Sequence, residues 1–86
     1  MTKITVTQND IKLGEAGNCR ACPIARATRR ALHRHILVDE DSITIGRPGE
    51  GGKEYQLPPS AQKFIERFDS GKPVRPITFL VGKRLA

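Results

Sequence analysis

Two cysteines and two histidines are the residues of this chain best suited to metal or thiol chemistry. Cys19 and Cys22 form a Cys-x-x-Cys pair, and His33 and His35 follow further along the chain. Cys and His are the usual tetrahedral ligands of zinc. If residues 23–33 form one helix, about 16 Å of axial rise separates Cys22 from His33, whereas the ligands of one zinc must converge. We therefore expect no cofactor and no metal, with a zinc ion shared between two molecules through Cys19 and Cys22 as the alternative.

The same Cys-x-x-Cys pair at the start of a helix is typical of thiol oxidoreductases. The helix dipole and the neighbouring Arg20 would lower the pKa of a thiol placed there. In thioredoxin-like domains the motif follows directly from a buried strand, whereas here a polar linker and a short helix precede it. The sequence favours two cysteines that pack as small apolar side chains, with a thiol redox role as the alternative.

No other set of residues has the spacing of a catalytic or phosphate-binding motif. The glycine-rich segment 47–53 does not fit Gly-x4-Gly-Lys-Ser/Thr, because Arg47 stands at the first glycine and Glu54 at the hydroxyl position. The acidic run 39–41 is expected in a turn, where its side chains point into water. We therefore expect no enzyme and no small-molecule substrate.

Positive charge is concentrated in one predicted helix. The chain has 15 Lys and Arg against 9 Asp and Glu, a net charge of +6, and no acid occurs between Glu15 and Asp39. A helix wound from Ile24 at about 100° per residue places apolar and basic side chains on opposite arcs. The arc predicted to pack contains Ile24, Thr28, Ala31, Leu32 and His35. The predicted binding face consists of Arg20, Arg26, Arg29, Arg30, His33 and Arg34.

A basic helix face of this kind can bind phosphates or an acidic patch on a protein, although many such faces are merely solvated. Tyr55 is the one aromatic residue expected at the surface, so base stacking has little support. The face therefore predicts a non-catalytic protein that binds a protein or a nucleic acid. We also expect that alanine at Arg26, Arg29 and Arg30 together leaves the fold nearly intact.

The first half of the chain predicts a strand, two helices and a hairpin. Residues 3–7 alternate apolar and polar side chains as a half-buried strand does. A short helix follows, with Gly14 as its left-handed terminator, and Asn18 is the predicted cap of the basic helix. Residues 35–38 and 42–46 are β-branched runs around the acidic turn, which predicts an antiparallel hairpin.

The second half of the chain predicts two further strands around a helix. Residues 54–57 form a short strand, and the prolines after it introduce a helix whose packed face contains Ala61, Phe64, Ile65 and Phe68. Residues 77–81 form the last strand. Eighty-six residues make one small domain, 1–86, that buries roughly 60% of its extended surface. We expect an α+β fold with two helices on one face of a mostly antiparallel four- or five-stranded sheet.

Three segments carry a family resemblance: 4–11, 17–25 with its Cys-x-x-Cys-Pro-Ile-Ala element, and the stretch from 57 to 74. In these segments the chain resembles a family of small proteins encoded by bacteriophages and prophages, particularly those of actinobacteria. The resemblance implies an accessory protein of phage type and carries no activity with it. It favours a host protein, of defence or transcription, over nucleic acid as the partner of the basic face.

Membrane attachment is not expected from the sequence. No apolar run approaches the ~20 residues of a membrane span. Residues 1–5 lack the apolar core of a signal peptide. We expect a cytoplasmic protein, and the resemblance implies the cytoplasm of a host bacterium.

Overall fold

Eight elements follow one another in the order that the sequence predicts. The computed structural model describes residues 2–47 and 49–85. Residues 1 and 86 of the predicted domain and residue 48 of the glycine-rich segment lie outside it. The elements are β1 (Lys3–Val6), α1 (Gln8–Leu13), α2 (Pro23–Leu32), β2 (Ile36–Val38), β3 (Ser42–Ile45), β4 (Lys53–Gln56), α3 (Pro59–Asp69) and β5 (Ile77–Leu80). The α+β class is confirmed. None of these helices has the length and apolar character needed to cross a membrane.

The strands form two antiparallel sheets. In one sheet β1 pairs with β5, and in the other the order is β2-β3-β4. The predicted hairpin is confirmed, with Ile36 opposite Ile45 and Val38 opposite Ile43. The single sheet of four or five strands is not confirmed, because β5 pairs with β1 and ends before the chain reaches β4.

The segment after β5 joins the two sheets. The Val81 N–H donates to the Thr2 carbonyl at 2.9 Å, beside β1, and the next residue, Gly82, donates to the Gln56 carbonyl at 2.9 Å, beside β4. The Gln56 N–H in turn donates to the Lys83 carbonyl at 2.8 Å. A Cβ at Gly82 would collide with the Gln56 carbonyl oxygen. Position 82 requires glycine because the two backbones approach too closely there to leave room for a Cβ.

One core lies between the sheets and the helices. Helix α2 packs on both β1 and β2, and α3 packs on β5. The packed face of α3 is as predicted, with Ala61, Phe64 and Ile65 buried and Phe68 partly buried. The rings of Phe64 and Phe68 stack with their centroids 6.2 Å apart. The other fully enclosed apolar side chains include Ile4, Val6, Ile24, Ile36, Ile43 and Leu57.

Helix α2 begins later than predicted. Its N-cap is Cys22, and Pro23 occupies the first position, where the fixed φ of proline suits a helix start. Asn18 instead closes the preceding turn: its carbonyl accepts the Cys22 N–H at 2.9 Å, and its side chain accepts the Arg20 N–H at 3.0 Å. Gly14 is extended, with φ −72°, and is not a left-handed terminator. A Cβ on Gly14 would lie 2.7 Å from Pro23 Cδ, so the glycine allows α1 to meet the start of α2.

The end of α2 also differs from the predicted packing arc. The helix stops at Leu32, and His33 adopts a left-handed conformation with φ 53°. His35 therefore lies outside the helix, and Ala31 is exposed. The buried residues of α2 are Pro23, Ile24, Ala25, Ala27 and Thr28. Because most of these side chains are small, α2 can lie close to the strands.

Gly82→Ala should destabilise the fold more than an alanine at an unobstructed glycine. The added Cβ must push the Gln56 carbonyl away and break the hydrogen bonds that join the sheets. We expect a loss of about 1–3 kcal/mol beyond that of Gly17→Ala, which has positive φ but open space around it. Urea unfolding followed by circular dichroism measures both. Equal losses would mean that residues 81–85 do not join the sheets.

Candidate binding surface

Two arginines of α2 face α1. Arg26 and Arg30 are four residues apart, so they lie on the same side of the helix. The Arg30 guanidinium binds the Asp10 carboxylate in bidentate fashion, with Nη1–Oδ1 at 2.6 Å and Nη2–Oδ2 at 2.8 Å. Arg26 Nε lies 3.8 Å from Asp10 Oδ1. These two arginines therefore meet a carboxylate of the same chain, a contact that the predicted binding face did not include.

The Asp10 carboxylate is fully buried and fully hydrogen-bonded. Its side chain has 0% exposure. Its Oδ2 also accepts the Thr7 backbone N–H at 2.9 Å and the Thr7 hydroxyl at 3.1 Å, while the Asp10 N–H donates to Thr7 Oγ1. These bonds form the capping box that begins α1. One carboxylate thus starts α1 and anchors α2.

The hydrogen bonds at Asp10 outweigh the cost of burying its charge. Burial alone raises the pKa of a carboxyl group, and here the bonds from Arg30 and Thr7 reverse that effect, so the pKa of Asp10 lies below its usual value. The hydrogen bond to Asp10 raises the pKa of Arg30. Asp10 and Arg30 therefore remain a charged pair throughout the neutral range.

A third arginine binds the turn before the helix. Arg29 Nη2 donates to the backbone carbonyl of Arg20. This bond holds the turn that contains Cys19 against the second half of α2. The Arg29 side chain nevertheless remains exposed, as does that of Arg20.

The basic residues at the end of α2 point outward. His33 is exposed, and its backbone N–H closes the helix on the Arg29 carbonyl at 2.8 Å. Arg34 is exposed and lies over Gly46, where a Cβ would come within 2.7 Å of Arg34 Nη2. Gly46 also has φ 92°, so both the lack of space for a Cβ and the positive φ favour glycine at this position.

The exposed basic residues form a surface along and beyond α2. We name it the α2 basic surface, and it consists of Arg20, Arg29, Arg30, His33 and Arg34. Arg26 is not part of it, because only 33% of its side chain is exposed and its Nε faces Asp10. This geometry argues against the expectation that alanine at Arg26, Arg29 and Arg30 spares the fold, since the triple change leaves the buried Asp10 charge without a cation.

The two cysteines lie at one end of a groove of about 270 Å³. Cys22 is buried, and its Sγ accepts the Ala25 N–H at 3.4 Å as the cap of α2. Burial raises the pKa of the Cys22 thiol, more than its backbone hydrogen bonds lower it. A nucleophilic thiol at a helix start requires the opposite shift. Cys19 is exposed.

Three acidic side chains line the same groove. Asp39 and Glu40 at the β2–β3 turn and Asp69 at the end of α3 line it, and Asp69 Oδ1 accepts the Gly17 N–H at 3.1 Å. Neighbouring Asp41 and Glu66 extend the acidic side. The acidic run was predicted in a solvated turn, but its meeting with α3 was not, because no local pattern relates residues so far apart. In residues 2–47 and 49–85, no three His, Cys, Asp or Glu side chains come together to hold a metal.

Comparisons with protein-family models, with curated proteins and with solved structures find no match to this chain. The resemblance to bacteriophage proteins therefore stays a prediction, and the function must be inferred from the surfaces described above.

Asp10→Asn should destabilise the protein at neutral pH. The substitution breaks a buried, bidentate ion pair and weakens the capping box, so we expect a loss of about 3 kcal/mol, against less than about 0.5 kcal/mol for the exposed control Glu66→Gln. Because folding lowers the pKa of Asp10 from its unfolded value of about 4, its contribution is complete above about pH 5 and is lost progressively as the pH falls from there to the folded value. Urea unfolding at pH 7 and pH 3 should therefore show a smaller difference between wild type and Asp10→Asn at pH 3. A difference that does not depend on pH would contradict the charged pair.

The two thiols should react at very different rates. Cys19 is exposed, whereas Cys22 is buried with a raised pKa, so we expect iodoacetamide to modify Cys19 at least tenfold faster at pH 7. Peptide mapping by mass spectrometry reads both sites in one sample. Faster modification of Cys22 would restore the redox alternative.

Proposed function

We propose that this chain is a non-catalytic binding protein of phage type, and that its α2 basic surface binds an acidic surface on a host protein. The observation that carries the proposal is the uncompensated charge of three arginines on that surface, Arg20, Arg29 and Arg34. Asp10 is neutralised by Arg30 with Arg26 beside it, and within the described residues no carboxylate forms an ion pair with Arg20, Arg29 or Arg34.

The arrangement of the arginines supports binding because two of them are already fixed. Arg30 is held by Asp10, and Arg29 by the Arg20 carbonyl. The guanidinium groups therefore lose less conformational freedom when they meet a carboxylate. About half of the Arg30 side chain remains exposed, at 52%, so it can contact a partner while bound to Asp10.

The distribution of charge favours a protein over a nucleic acid. The acidic residues around α3 and the β2–β3 turn repel an extended polyanion, whereas a compact protein can contact the α2 basic surface alone. Tyr55, the aromatic residue expected at the surface, is only partly exposed. The resemblance to phage proteins supports a host defence or transcription protein, met in the bacterial cytoplasm, as the partner.

Reversing two charges on the α2 basic surface should abolish partner binding without unfolding the protein. Arg20→Glu with Arg34→Glu leaves Asp10 and its arginines untouched, and Lys72→Glu with Lys83→Glu makes the same change in net charge elsewhere. The immobilised wild type should retain one protein from an actinobacterial lysate. That protein, once purified, should form a stoichiometric complex that weakens at least tenfold with the first variant and less than threefold with the control.

A nucleic-acid partner gives a different result in a salt titration with labelled duplex DNA and single-stranded RNA. Tight binding whose salt slope falls by about two in the Arg20→Glu/Arg34→Glu variant would replace the host protein with phosphate contacts. Retention of no protein and no nucleic acid would overturn the proposal altogether.

A further inference from the structure

A second surface, separate from α2, is a groove between α3 and the chain that leads into β5. Its volume is about 280 Å³. Phe64, Val74 and Ile77 form an apolar floor, with Pro73 at one side. Lys63, Arg67 and Arg75 line its rim, and among residues 2–47 and 49–85 no acidic side chain lines it. We name this feature the α3 groove.

Helix α3 divides its charges between its two sides. The side that lines the α3 groove contributes Ser60, Lys63, Phe64 and Arg67. The opposite side contributes Gln62, Ile65, Glu66 and Asp69, together with Glu40 and Asp41 from the β2–β3 turn. The carboxylates of α3 therefore do not neutralise the cations at the groove. In the part of the chain that the structure describes, Lys63, Arg67 and Arg75 form no ion pair.

Arg67 is already oriented at the rim. Its Nε and Nη2 both donate to the Pro73 carbonyl, at 3.2 and 3.1 Å. These bonds fix the guanidinium plane and leave both Nη1 protons and one Nη2 proton unused. The edge formed by Nη1 and Nη2 is therefore free to bind a carboxylate in bidentate fashion. Lys63 and Arg75 are exposed beside it.

We propose that the α3 groove binds a short acidic segment of a partner protein, with one large apolar side chain on the floor and flanking carboxylates on the rim. The choice of occupant follows from charge complementarity: an apolar floor with three unpaired cations selects an apolar side chain between acids. The volume of the groove is slightly below the smallest volumes usual for small-molecule pockets, about 300 Å³, and suits one or two side chains. This site does not depend on the α2 basic surface.

The test uses the whole 86-residue chain and a displayed library of random twelve-residue peptides. The expected outcome is enrichment of peptides in which Leu, Phe, Met or Trp lies within two positions of Asp or Glu. Chemical shifts of Phe64, Val74 and Ile77 should change when a selected peptide is added as a synthetic compound. Selection of no peptide, or of peptides without acids, would overturn the proposal.

Two variants and a control locate the binding. Ser60→Trp fills the groove from an exposed position, and Lys63→Glu with Arg75→Glu reverses two rim charges while sparing the Arg67 bonds. Each should weaken the selected peptide at least tenfold, whereas Lys12→Glu with Lys83→Glu should change its affinity less than threefold. Unchanged binding to Ser60→Trp contradicts the proposed site.

Other occupants give distinct results in the same samples. If a second copy of this chain covers the groove, sedimentation equilibrium will show a dimer that Ser60→Trp dissociates, and the partner segment is then excluded. The variant Arg20→Glu with Arg34→Glu should bind the peptide normally. Loss of both activities in that variant would mean that the two surfaces act as one, against the independence proposed here.

Discussion

The buried carboxylate of Asp10 is the interaction on which the rest of the structure depends. It caps α1 through Thr7, it binds Arg30 of α2, and it is enclosed where both helices meet. A buried ion pair of this kind adds little net stability compared with apolar packing, but breaking it leaves a charge that the interior cannot solvate. Its effect is to hold α2 against α1. The exposed arginines take their positions from that placement.

The small size of the chain makes such connections necessary. A domain of 86 residues has a thin core, and here the core is shared by two sheets that hydrogen bonds from residues 81–85 hold together. Helix α2 spans both sheets with small buried residues such as Ala25 and Ala27. Polar contacts of single residues, at Asp10, Gly82 and Pro73, therefore link elements that the core alone holds weakly.

Local patterns predicted the elements well because each depends on neighbours in the chain. The hairpin follows from β-branched runs around an acidic turn, and the α3 face from apolar spacing at 61, 64, 65 and 68. The cap of α2 was misplaced because Asn18 is the usual residue type, whereas Pro23 determines where the helix starts and leaves Cys22 as the cap.

Helical periodicity in the sequence identifies the basic residues but not their partners. It separates apolar from charged side chains, but it contains no information about a carboxylate in another helix, so Arg26 and Arg30 were placed on a free face. The capping box of Thr7 and Asp10 is a local feature, because the two residues are three positions apart. The bond between Asp10 and Arg30 is not local, because it requires the packing of α1 on α2. The α3 groove likewise exists only where residues 73–77 meet α3.

One bond of Arg30 also covers part of the unpaired edge of β1. In the described part of the chain β1 pairs with β5 alone, so its other edge offers backbone groups to any passing strand. Arg30 Nη2 donates to the Thr5 carbonyl at 3.2 Å and places a charged side chain over that edge. The arginine that anchors α2 thereby also occupies a backbone acceptor that an added strand would need, so the exposed edge of β1 and the position of the helix depend on the same side chain.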